Sequence, residues 1–187
     1  MLSISNLPVQ DRILAAAASC VVDFGVERVT LAEIARRAGV SRPTVYRRWP
    51  DTRSVLAALL TSHITEAVAE APVRGSGRAA LVDRVVAVAE RLRGDELVMA
   101  VLRSELALVY IAQRLGRSQQ MLIEALAKDL RAAQYDGSVR AGDPRQMAAM
   151  VLLITQSTIQ SAQIVRPILD ADALAAELAH SLNGYLA

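Results

Sequence analysis

The stretch over residues 30–49, TLAEIARRAGVSRPTVYRRW, constrains this chain most, because its caps, breaks and apolar spacing fit two short helices joined by a tight turn. Thr30 and Glu33 stand three apart as a capping box, with Val29 and Ile34 flanking them as a hydrophobic staple. Leu31, Ile34, Ala35 and Ala38 supply the buried stripe of the first helix. Gly39 falls where a helix ends in a left-handed residue, and Val40 returns toward the core. Ser41 is a good N-cap for the second helix, Pro43 is tolerated in its first turn, and Pro50 stops it after Trp49.

At about 100° per residue, Val45 and Trp49 share one face of that second helix. Pro43, Thr44 and Arg47 share the opposite face, with Tyr46 and Arg48 on the flanks. Arginine forks onto guanine edges, and threonine exchanges hydrogen bonds with a base or touches a thymine methyl, so the outward face suits a major groove. Tyr46 and Arg48 are expected to meet phosphates.

At these residues the chain resembles the TetR family of transcriptional repressors, whose helix-turn-helix carries the pattern T-x-x-x-I-A-x-x-A-G-V-S-x-x-T-x-Y-x-x-F/W. Thr30, Ile34, Ala35, Ala38, Gly39, Val40, Ser41, Thr44, Tyr46 and Trp49 meet it here. The resemblance covers the first third of the chain; beyond it the likeness lies only in being helical. Family members often place a phosphate-binding Lys three residues after the aromatic, and this chain has Thr52 there, with Arg53 beside it. Either the Thr52 hydroxyl or Arg53 is then left to take the phosphate. The DNA-binding candidates are therefore Thr30, Ser41, Arg42, Pro43, Thr44, Tyr46, Arg47, Arg48 and Thr52.

The rest of the composition agrees. The chain has 187 residues, 53% of them hydrophobic, enough for a sizeable core. Net charge is only +2, yet the first 60 residues hold eight Arg against five Asp or Glu, so any nucleic-acid contact is expected in the N-terminal part. The sole cysteine, Cys20, has no partner in the chain, in keeping with a reducing cytoplasm, and is expected to be a buried structural thiol. No basic segment followed by an apolar run opens the sequence, so no signal peptide is expected. Residues 146–165 carry no formal charge over a span long enough for a bilayer, but Gln156, Gln160 and Gln163 argue for a buried helix in a soluble protein and no membrane partner.

Helical periodicity, with breaks at Gly25, Pro50, residues 72–77, Gly94, Gly116, Gly137 and Pro167, predicts an all-α fold of about nine helices. The expected spans are 8–24, the helix-turn-helix pair, 52–71, 78–93, 95–114, 118–135, 144–165 and a last helix capped by Asp170. Three N-terminal helices make a DNA-binding domain over 1–50, and 51–187 a helical effector-binding and dimerisation domain. The helix over 52–71 joins the two and is the expected lever of control.

No H-E-x-x-H, glycine-rich phosphate loop or cysteine pair is present, so no catalytic residue, metal site or cofactor is expected, and the chain is not read as an enzyme. His63 is taken as an ordinary hydrogen-bonded residue. The resemblance implies a repressor that binds double-stranded operator DNA as a homodimer and is released by a small-molecule effector. With 3% aromatic residues the pocket is expected to be aliphatic, lined by Met99, Tyr110, Gln113, Met121, Gln156 and Gln160. The last two helices are nearly uncharged along their middles, so Ile154, Ser157, Ser161, Leu174, Leu178, Leu182 and Tyr185 are expected at the dimer interface. The competing reading is a helical protein-interaction or ligand-storage module that keeps the hairpin without binding DNA.

Overall fold

Helix termini fall where the chain supplies partners for the N–H and C=O groups that a helix leaves open. The computed structural model describes residues 8–104 and 117–187. Among the described residues there are nine α-helices and no strand. They are α1 (Val9–Phe24), α2 (Leu31–Ala38), α3 (Arg42–Arg48), α4 (Thr52–Glu70), α5 (Gly77–Gly94), α6 (Glu96–Arg103), α7 (Arg117–Tyr135), α8 (Pro144–Val165) and α9 (Ala171–Leu186). A 3-10 turn at Val26–Arg28 links the first two. The expected spans are met within a residue or two except over 95–114: α6 ends at Arg103, the Ser104 hydroxyl turns back to Val101 O at 2.7 Å, and the remainder of that span lies outside the described residues.

By packing, the described chain divides into two units, residues 8–63 with 96–104, and residues 64–95 with 117–187. The expected boundary after residue 50 thus differs from the packing boundary, because α6 packs on α1 and the first part of α4 buries Val55, Leu56 and Leu59. In the first unit α1 packs on α2, and α2 on α3, around Ile13, Ala17, Ile34, Ala35 and Val45. Cys20 is buried there, and loss of hydration pushes its thiol pKa up, as expected of a structural thiol. Phe24, which periodicity assigns to the inner stripe of α1, is instead 41% exposed, with the Arg37 guanidinium 4.6 Å above its ring.

In the second unit α5 packs on α7, α8 and α9, α7 packs on α8, and α8 on α9. The first N–H groups of α5 get no side-chain cap from Ser76. Their partner comes from a distant loop, where Ser138 Oγ accepts from Arg78 N at 2.9 Å. A Cβ on Gly77, whose φ is +76°, would stand 2.8 Å from that oxygen, so glycine is what lets the loop close on the helix. Arg140 does the same service at the end of α9, donating from its backbone N–H to Leu186 O at 3.0 Å and from Nε to Tyr185 O at 2.8 Å.

The last two helices correct the expectation about which faces are free. On α9, Leu174, Leu178 and Leu182, expected at an interface, are buried with Leu186 inside their own chain and belong to its core. Tyr185 is half-buried, its ring covered by Arg140 at 4.8 Å. On α8 the inward stripe is Met147, Val151, Thr155 and Ile159, and Thr155 hides its hydroxyl by donating to Val151 O at 2.8 Å. Ile154 and Ser161 are half-buried and Ser157 is exposed. Met150, Leu153 and Ile164 also face outward, so α8 is not the wholly buried helix its composition predicts; it is long and apolar enough to cross a membrane, and most of that apolar window is not buried in the chain.

Candidate nucleic-acid interface

The helix-turn-helix assembles from local bonds. Thr30 Oγ1 accepts from Glu33 N at 3.2 Å, which makes one half of the predicted capping box. The Glu33 carboxylate does not return the favour to Thr30; it takes Arg36 Nη2 at 2.7 Å and Arg37 Nε at 2.9 Å. Those hydrogen bonds, Arg36 first and Arg37 next, hold its pKa down to about 2. A guanidinium one turn along is a stronger partner for a carboxylate than a neutral N–H, which is why the box opens. Arg37 continues the chain of contacts from Nη1 to Ser19 Oγ at 2.6 Å and Asp23 Oδ2 at 2.5 Å, binding α2 to α1.

Gly39 ends α2 at φ 63°, ψ 38°, and Val40 N donates back to Ala35 O at 3.1 Å. Ser41 then caps α3, its Oγ accepting from Thr44 N at 3.3 Å and lying 2.7 Å from Thr44 Oγ1. Val45 is buried within α3, and Trp49, just beyond its end, is buried as well. Arg42, Pro43, Tyr46, Arg47 and Arg48 are exposed, as are Thr30 and Ser41. Thr44 is half-buried and its hydroxyl already has Ser41, so a base must compete with Ser41 for it. Arg48 Nη1 lies 3.5 Å from Gln10 Oε1 on α1, at the flank where a phosphate contact is expected.

Asp51 caps α4 by accepting from Ser54 N and Ser54 Oγ, both at 2.7 Å, and these bonds lower its carboxyl pKa. Thr52 is half-buried in the first turn of that helix and Arg53 is exposed beside it. The nine DNA-binding candidates thus fall on one continuous segment of the first unit, from the cap of α2 to the start of α4.

The described members of the expected effector set are divided between the two units. Met99 is buried in the first unit, while Met121, Gln156 and Gln160 belong to the second; Met121 is 48% exposed and the two glutamines are half-buried. Tyr110 and Gln113 lie outside the described residues. Within the second unit, Val86, Ala89, Thr158, Ile159, Leu174 and Leu178 surround a cleft of about 10 Å³, room for a single water. Sequence reading also passed over Arg12 and Arg37, whose partners on other helices lie 14 to 27 residues away and leave no local signal.

The comparisons with known proteins bear on the same segment. A family model described as bacterial regulatory proteins, tetR family, matches residues 13–59. The chain is 68% identical over 188 residues, 100% of both chains, to Rv2250c of Mycobacterium tuberculosis (strain ATCC 25618 / H37Rv), described as an uncharacterized HTH-type transcriptional regulator. Among solved structures, the transcriptional repressor QsdR of R. erythropolis, from the TetR family, superimposes with a TM-score of 0.70 at 17% identity over 94% of each chain. The regulator FadR of Bacillus subtilis, in complex with stearoyl-CoA, gives 0.66 at 18% identity over 95% of this chain and 99% of that one. These two likenesses show the fold. Family match, full-length relative and fold agree: the chain belongs to the TetR family of bacterial regulatory proteins, and it is a DNA-binding transcriptional regulator and not an enzyme.

Proposed function

We propose that this regulator is a homodimeric repressor, released from its operator by a small-molecule effector with an aliphatic chain. The observation that carries the DNA half is α3 itself: Arg42, Pro43 and Arg47 stand exposed on a capped helix anchored from behind by Val45 and Trp49. One such helix reads only a few base pairs, and a two-fold pair is what a palindromic site requires. The outward stripe of α8 supports the pair, with Leu153 61% and Ile164 79% exposed in the single chain beside Met150 and Ser157. A second copy explains that apolar length better than a bilayer does, since Gln156, Gln160 and Gln163 are costly in hydrocarbon. The protein then works in the cytoplasm, where its DNA target is.

The effector reading rests on composition and on one neighbour. Aromatic residues make up 3% of the chain, which disfavours a pocket for stacked planar rings, and FadR of Bacillus subtilis shares the fold and was solved with stearoyl-CoA. Met121, Gln156 and Gln160, all in the second unit, remain the candidate lining residues there. Residues of α4 are divided between the two units, so this helix is the proposed lever. An effector shifts DNA binding only by its difference in affinity for the two arrangements, and operator DNA must weaken effector binding by the same factor. The test is a thermal-shift screen with acyl-CoAs of graded chain length, followed by titration of the best binder with and without operator. Coupling of about 1–3 kcal/mol, a five- to 150-fold change, is expected. Equal affinities in the two titrations would refute effector control.

A further inference from the structure

We propose that Arg12 is a positioning residue for DNA recognition, fixing from α1 the turn that sets the angle at which α3 is presented. Arg12 Nη2 donates to Ala38 O at 2.6 Å and to Gly39 O at 3.0 Å. The first is the last carbonyl of α2 and the second is the carbonyl of the turn residue, both groups for which an α-helix has no internal partner. A guanidinium there also places positive charge at the negative end of the α2 dipole. The turn needs glycine for its left-handed backbone, and a Cβ on residue 39 would lie 3.1 Å from Arg12 Nη2, pressing on the guanidinium that holds the turn.

α3 cannot set its own angle. It has seven residues, too few to be stable alone, and Val45 is the one residue within it that is buried. Its direction is therefore decided by what holds its two ends. Arg12 holds the turn before it, and the buried Trp49 holds its far end. The opening turn of α1 thus fixes the near end of the reading helix, while Arg37 with Ser19 and Asp23 ties the body of α2 to the same helix further along. Base-edge hydrogen bonds are steep in distance and angle, whereas phosphate attraction is tolerant of both, so a loosened turn should cost specific binding and spare non-specific binding.

This inference rests on α3 being the base-reading element, so the parent protein is first used to select its operator from a random DNA library. Arg12→Gln and Arg12→Lys are then titrated against that operator and against random DNA at several salt concentrations, at a temperature where circular dichroism shows each folded. Arg12→Gln is expected to bind operator about tenfold more weakly, the factor that corresponds to ~1.4 kcal/mol of lost charge-assisted bonding, with random-DNA affinity and salt slope unchanged. Arg12→Lys, with the charge but without the fork, should fall between, and it carries the test if Arg12→Gln does not fold. A lowered melting temperature with unchanged operator affinity would make Arg12 merely structural and overturn the proposal. A parallel loss on operator and random DNA, with the salt slope reduced by about one, would make it a phosphate contact and overturn it equally. A parent protein that enriches no sequence would instead sink the reading of α3 beneath it.

Discussion

Replacing Leu153 by Glu should split the proposed dimer and leave the protomer folded. Leu153 is 61% exposed in the single chain, so the change costs the protomer no more than about 0.5 kcal/mol. Burying a whole leucine contributes ~1.5–3 kcal/mol, so covering its exposed part is worth ~1–2 kcal/mol per copy and ~2–4 kcal/mol in a two-fold seam that holds it twice. Each introduced carboxylate would also be buried without a partner, at several kcal/mol more. A total above ~5 kcal/mol raises the dimer dissociation constant by at least about three decades. Leu178→Ala is the counterpart: at 4% exposure it should lose ~2–5 kcal/mol of folding stability and leave dimerisation of the folded protein intact. Sedimentation equilibrium reads the first effect. Melting at graded protein concentrations reads both, since the parent melting temperature should rise with concentration, and that of Leu153→Glu should not. A Leu153→Glu protein that dimerises as tightly as the parent would show that the outward stripe of α8 is not the seam.

Arg47→Ala should weaken operator binding by about 1–3 kcal/mol and relax specificity without changing the circular dichroism spectrum; unchanged affinity would mean Arg47 touches no base. Arg48→Ala should weaken operator and random DNA alike and lower the salt slope by about one, and a loss of discrimination would refute its assignment to phosphate. Glu33 should make the first unit acid-sensitive. Its pKa is lowered from 4.5 to about 2 in the folded protein by Arg36 and Arg37, so the unfolded chain binds the proton first. The stabilisation is then fully present above 4.5 and is lost as pH falls from there toward 2. The urea midpoint of the parent should approach that of Glu33→Gln across this window, and a gap between them that does not narrow would contradict the linkage.

The helix-turn-helix was legible because each of its signals acts within four residues. The Thr30 and Ser41 caps, the left-handed Gly39 and the Val45–Trp49 spacing are satisfied by bonds between near neighbours, and the structure contains them as the residues predict. The capping box is the instructive exception: Thr30 plays its part, but Glu33 has two arginines in reach and a neutral N–H loses to them. Helix ends at Gly94, Asp143 and Asp170 were equally local.

What the sequence by itself determined, then, was the list of helices and the helix-turn-helix with its caps. Only the tertiary structure decided which face of α9 turns inward, that Leu174, Leu178 and Leu182 belong to their own core, and that the outward apolar stripe lies on α8 through Leu153 and Ile164. It alone brought Arg12 to the Gly39 turn, Arg37 to Asp23 and Ser138 to the start of α5. The physical reason is the same in each case. Periodicity fixes where a side chain points about its own helix axis, but an uncharged helix has apolar residues on more than one face, and a hydrogen bond to a residue far along the chain has no spacing to be read from. Those choices are made by packing, when the helices compete for a common interior and the distant carbonyls, carboxylates and caps come within reach.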